Sequence, residues 1–192
     1  MSVAAAVPPI ERYRLTSAIF HEMVDKGILN EDDRLELIEG ELVTMSPIGP
    51  EHMGVANQIA QILIRQLEQR AIVSIQGPIA LDEFSEPQPD LALLVQRDDF
   101  YKHSLPRPAD VALVIEVADS SLAYDRAIKM PLYARAGVPE AWIVNLIDRW
   151  IEVYRGPSTA GYTTLLKILS GKSIAPQAFD DVVVVVDDLL SN

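Results

Sequence analysis

The chain has 192 residues, of which 49% are apolar and 23% charged, a composition that excludes intrinsic disorder. Lysine and arginine number 16 against 28 aspartates and glutamates, and the net charge of −12 argues against a tight, sequence-independent grip on a nucleic-acid backbone. Cysteine is absent, which excludes disulfides and thiol chemistry, and no apolar run approaches the roughly 20 residues that cross a bilayer, so a cytoplasmic location is expected.

Residues 1–9 are small and apolar but lack the basic flank of a signal peptide; a flexible arm is expected over 1–15, then a single domain over 16–192. Thr16 can cap a helix whose Ile19, Phe20, Met23 and Val24 share one face, with Gly27 as its stop. Over residues 35–45 acids alternate with aliphatics around Gly40, the pattern of an antiparallel hairpin. A loop over 46–50 leads into a helix from 51 to about 70, because Val55, Ile59, Ile62, Leu63 and Leu67 recur at helical spacing.

Strand character returns over 72–81. Pro87 and Pro89 then stiffen the approach to a short apolar strand over 90–95. Residues 96–110 form a polar loop in which Arg97, Lys102, His103 and Arg107 alternate with Phe100 and Tyr101. Loops of this length usually have a task or are disordered; contact with a phosphate backbone is one candidate task, though Asp98, Asp99 and Asp110 leave little local excess of positive charge. A second buried strand spans 111–117. Asp119, Ser120 and Ser121 offer capping groups for a helix over 122–136 that ends at Gly137, with a kink expected at Pro131. The next strand, 141–146, completes a strand–helix–strand unit over 111–146, which joins parallel neighbours through a right-handed crossover. Strands over 150–154 and 162–168 form a meander, and 182–190 reads as a strand and a helical turn. The expected class is α/β, with a mixed sheet flanked by helices.

Two carboxylates interrupt the two most apolar strands: Asp90 opens one, and Glu116 sits near the carboxyl end of the other. Burying a lone carboxylate is costly unless something compensates, and a hard divalent cation compensates well. Asp90, Glu116 and the backbone carbonyl of Val117 can together hold a hard divalent ion such as magnesium in an open site that keeps several waters. Lys129, thirteen positions past Glu116, falls in the helix that folds back over the sheet, where an ammonium can orient or activate an attacking water. Spacing alone leaves the plainer readings open, since Pro-Asp often punctuates turns and helix lysines are usually solvated.

Three auxiliary candidates are Glu36, His52 and Gln88. Glu36 lies between Leu35 and Leu37, so a solvent-facing strand carboxylate is the preferred reading and a third site acid the alternative. His52 suits a hydrogen bond at the helix start, or contact with a substrate phosphate. Gln88 is a loop glutamine or a contact for metal-bound water. Tyr133 and Trp142 are expected in the core or an interface, and the surroundings of Trp142 and Trp150 suggest a homodimer face.

Pro89-Asp90, Ile115-Glu116-Val117 and the stretch from Asp125 through Lys129, Tyr133 and Gly137 to Trp142 form a specific pattern, preceded by the 35–43 hairpin, Ser46-Pro47 and His52. It resembles the putative restriction-endonuclease family, formerly a domain of unknown function, within the PD-(D/E)XK nuclease superfamily. The resemblance spans about residues 16–154. It implies a magnesium or manganese site, with Asp90 and Glu116 as ligands and Lys129 as the catalytic lysine, and DNA phosphodiester hydrolysis. The superfamily's usual lysine lies two positions past the strand acid, where this chain has Ala118, whereas the family resembled places it on the following helix. The competing expectation is a non-catalytic interaction protein that keeps the fold and its ion.

Overall fold

The computed structural model describes residues 12–191, so residues 1–11 of the expected arm lie outside it. The described part of that arm is not free: Leu15 N–H donates to the Gly40 carbonyl, and the Arg14 guanidinium stacks 3.9 Å above the Phe84 ring. Thr16 caps α1 (Ser17–Asp25) by accepting from Ile19 N–H, and Gly27, at φ +67°, ends it. β1 (Leu35–Ile38) and β2 (Glu41–Thr44) pair as the expected hairpin. Both of its turn residues, Glu39 and Gly40, have positive φ, which matches the twist of a tight antiparallel turn. Pro50 opens α2 (Pro50–Leu67), whose Val55, Ile59, Leu63 and Leu67 are buried along one face.

β3 (Ala71–Ile75) is shorter than the periodicity predicts. The left-handed backbone of Gln76 and then Pro78 end it, and residues 76–81 run irregularly, held by Ile79 N–H to the Pro87 carbonyl and Leu81 N–H to that of Ser85. β4 (Leu91–Val95), β5 (Val111–Ala118), β6 (Glu140–Asn145), β7 (Trp150–Ser158) and β8 (Gly161–Ile168) complete one six-stranded sheet in the order β3-β4-β5-β6-β7-β8. β5 and β6 run parallel, as the crossover requires, and the other pairs are antiparallel. The tail adds a small pair, β9 (Ser173–Ile174) with β10 (Val184–Val185), and then α5 (Val186–Leu190). Two-residue strands are too short to betray themselves by alternation, so β9 went unpredicted.

Alternation along β5 divides the core. Leu113, Ile115 and Val117 face α2 and the carboxyl-terminal segment, together with Leu91, Leu93 and Trp142. Val114 and Ala118 face the opposite layer with Ile143, Met130 and Tyr133. Glu116 has the same parity as Val114 and Ala118, so it points into that second layer. Trp142 is fully buried within the single chain, so it cannot supply the homodimer face expected around it.

The crossover helix is divided. A short turn, α3 (Leu122–Tyr124), leads into a π-helical turn over Asp125–Lys129 and then α4 (Met130–Ala136). Pro131 has no N–H to donate, and the widened turn instead sends Met130 N–H to the Asp125 carbonyl, five residues back. Pro131 thus opens α4 in its tolerated first-turn position and does not kink a continuous helix. Asp125 and Lys129, on the π turn, are both buried.

Gly40 lies at φ +85°, and a Cβ there would stand 2.6 Å from the Arg14 Cβ. Gly40→Ala should therefore destabilise the fold by about 1–3 kcal/mol in urea unfolding, through backbone strain and this clash.

Candidate active site

At the end of the sheet where β4 begins and β5 finishes lies a cavity of about 290 Å³. Leu91 pairs with Ile115 at that end and Leu94 with Val111 at the other. The 96–110 loop therefore leaves β4 about 17–20 Å from Asp90, at roughly 3.3 Å per strand residue. None of its residues lines this acidic cavity, but on its return Ala80 N–H donates to the Pro106 carbonyl and Leu105 reaches a neighbouring cavity. Arg97 is committed to Asp99 and lies over the Tyr101 ring.

Asp90, Glu116 and Lys129 all line the cavity, as does Val117. Lys129 Nζ lies 3.2 Å from Glu116 Oε1 and 2.9 Å from Glu36 Oε1. Tyr133, one turn further along, donates its hydroxyl to Glu116 Oε1 at 2.7 Å. The π-helical turn of the crossover thus delivers the Lys129 ammonium to the strand carboxylate of Glu116. Glu36 overturns the preferred reading: it is buried, because the β1–β2 hairpin folds over the cavity and leaves neither face of β1 to solvent. The Gln88 contribution is its backbone N–H, which donates to Glu36 Oε1 at 2.7 Å. His52 does not cap its helix; its Nε2 lies 3.0 Å from Asp90 Oδ2, which also accepts from Val117 N–H at 2.8 Å.

Sequence reasoning missed Asp125, Ser121 and Tyr124. Ser121 stands at the N-cap but its hydroxyl makes no cap bond and instead donates to Asp125 Oδ2 at 2.7 Å. Asp125 precedes Lys129 by one helical turn, as Tyr133 follows it by one, and that four-residue spacing was the available signal. Two polar atoms of the wall, His52 Nδ1 and the Tyr124 hydroxyl, are buried without a partner among the described residues.

The electrostatics are lopsided. Glu36, Asp90, Glu116, Asp119 and Asp125 surround one buried ammonium, with Arg34 at the rim. Burial pushes Glu116 well above the ordinary carboxylate range; Lys129 opposes this, and Asp125, Asp90 and Glu36 add to it. Burial likewise lifts Asp125 to about 6 despite Lys129 and the Ser121 hydroxyl. Burial alone would lower Lys129, yet Glu116, Glu36 and Asp125 outweigh it and hold the ammonium above its ordinary value. His52 behaves alike, with burial pulling it down and the Asp90 hydrogen bond and charge raising it. Among the described residues, no three His, Asp or Glu side chains converge as a metal cage.

The model of the Uma2 family, described as "Putative restriction endonuclease", matches residues 19–185. The chain belongs to this family. The match takes in every residue named in the cavity, from Glu36 to Tyr133. The fold is shared with a putative nuclease from Anabaena variabilis, of a domain family of unknown function, whose crystal structure is 13% identical. That likeness covers 92% of this chain and 98% of the other, with a TM-score of 0.71. No curated protein matches this sequence. No described helix is long and apolar enough to cross a membrane.

The raised Asp125 fixes a sign for stability against pH. Its folded-state proton is held more tightly than in the unfolded chain, so its contribution is complete below about pH 4 and is lost as pH rises through about 6. Asp125→Asn should therefore gain on the unmodified protein by on the order of 2 kcal/mol between pH 4 and 7 in urea titrations. Parallel stability–pH curves for the two proteins would contradict this origin.

Proposed function

We propose that the protein is a divalent-metal-dependent DNA endonuclease, with Asp90 and Glu116 holding the ion and Lys129 beside the scissile phosphate. The observation that carries this reading is the burial of Lys129 between Glu36 and Glu116 in the cavity that Asp90 also lines. Magnesium or manganese suits the donor set. Two carboxylates, each with one oxygen free of protein partners among the described residues, make an open site of the kind magnesium takes while keeping its waters. The Val117 carbonyl is a third possible donor. When bound, such an ion supplies Lewis acidity toward phosphate oxygens and a lowered pKa for water.

The chain's own groups divide the remaining work. Lys129, held protonated by its acidic neighbours, cannot accept a proton at neutral pH. Its part is to orient the attacking water and offset charge growing on the phosphate oxygens. Glu36, itself fixed by Gln88 N–H, aims the ammonium. Tyr133 holds Glu116 in place, and His52 with Val117 N–H fixes the orientation of Asp90. Tyr124 and the free His52 nitrogen offer hydrogen-bonding groups to water or substrate oxygens.

The intact protein should cut plasmid or branched DNA in magnesium or manganese. Lys129→Ala should lose about 100-fold or more in rate, the usual cost of removing one group that meets developing charge. Asp90→Asn should lose activity through the ion. Failure of the intact protein to cut any nucleic acid would refute the catalytic reading. The net charge of −12 and the double engagement of Lys129 favour a second reading, a non-catalytic partner-binding protein that keeps the site. Manganese binding without cleavage of any substrate would select it.

A further inference from the structure

A second cavity, of about 480 Å³, lies between α1, the β1–β2 hairpin and residues 76–88. Its volume falls within the roughly 300–1,000 Å³ of small-molecule sites. It adjoins the acidic cavity, because Arg34, Met45, Ile48 and Gln88 line both. Phe20, Val24, Leu29 and Leu35 make its walls apolar. Into this apolar space opens Glu86, a buried carboxylate whose Oε2 lies 2.7 Å from His21 Nε2 while Oε1 has no partner among the described residues. A carboxylate in such a wall calls for N–H donors. Arg34, in the shared wall, makes no ion pair with a described residue.

We propose that this cavity is a nucleobase subsite, receiving an unstacked base whose own phosphate lies at the Lys129 cavity. The inference rests on the nuclease reading and names its substrate class: a strand that is unpaired at the bound nucleotide. Flat aromatic bases suit apolar walls, and Arg34 is placed to meet the phosphate between the two cavities. Glu86 selects the base edge. Guanine presents N1–H and the 2-amino group side by side, which a carboxylate accepts. Thymine presents one N–H flanked by two carbonyls, which a carboxylate repels. Guanine's edge is free only when the base is unpaired, so a duplex must first open there. This mode also fits an acidic protein, since burying a base supplies affinity that a basic groove would otherwise provide.

The test is fluorescence anisotropy on a labelled single-stranded oligonucleotide, with calcium replacing magnesium, and with guanine, thymine or an abasic site at one central position. Guanine should bind at least tenfold tighter than the other two. Leu29→Trp, which fills the cavity, should erase that preference while the melting temperature and manganese affinity stay unchanged. Glu86→Gln should narrow the guanine–thymine gap specifically. Equal binding of the guanine and abasic strands, or a Leu29→Trp protein that keeps the preference, would overturn the proposal. A base preference without cleavage in magnesium would instead sink the nuclease reading and keep the subsite; cleavage without base preference would do the reverse.

Discussion

Everything at the working end of this molecule depends on a shortage of positive charge inside it. Glu36, Glu116 and Asp125 are buried around Lys129, and Asp90 stands at the same cavity tied to His52. A single ammonium cannot balance that many carboxylates in a poorly solvated space, so protons are drawn onto Glu116 and Asp125. A protein selected for stability alone would replace such a cluster with packed hydrocarbon, usually at no loss. Retaining it is what the proposed divalent cation would account for.

The topology explains how the cluster assembles from distant positions. Antiparallel pairing of β4 with β5 sets Asp90 beside the end of the Glu116 strand. The crossover between the parallel strands β5 and β6 then returns the chain over the face that Glu116 occupies. A π turn, accommodated by the missing donor of Pro131, points Asp125 and Lys129 inward together. The β1–β2 hairpin closes the cavity from above and contributes Glu36, held by Gln88 N–H. Each device is ordinary. Their coincidence at one sheet end is what makes the site.

Much of this was legible in the residues because it is written in periodicity. The helical face of α2, the apolar runs of β4 to β6, the Thr16 cap and the Gly27 and Gly137 stops are local signals, and the structure keeps them. Asp90 and Glu116 stood out because a carboxylate in an apolar strand contradicts its surroundings. Glu36 misled for the opposite reason: alternation tells which residues share a strand face, but not whether another layer covers the other face. The π turn and the pairing of His52 with Asp90 are tertiary outcomes that no spacing encodes. The 96–110 loop was placed near the acidic cavity by adjacency in sequence, whereas an antiparallel register starts it at the far end of the sheet and its return brings Leu105 to the second cavity instead.

The central claim is that the buried acids await a divalent cation and carry protons until it arrives. Its most direct measurement is calorimetric titration of manganese at pH 6 in two buffers of different ionisation enthalpy. Binding should release protons, because an ion at Asp90 and Glu116 favours the charged carboxylates, and Asp90→Asn should abolish both the binding and the release. Manganese that fails to bind the intact protein, or that binds without proton release and equally well to Asp90→Asn, would contradict the account.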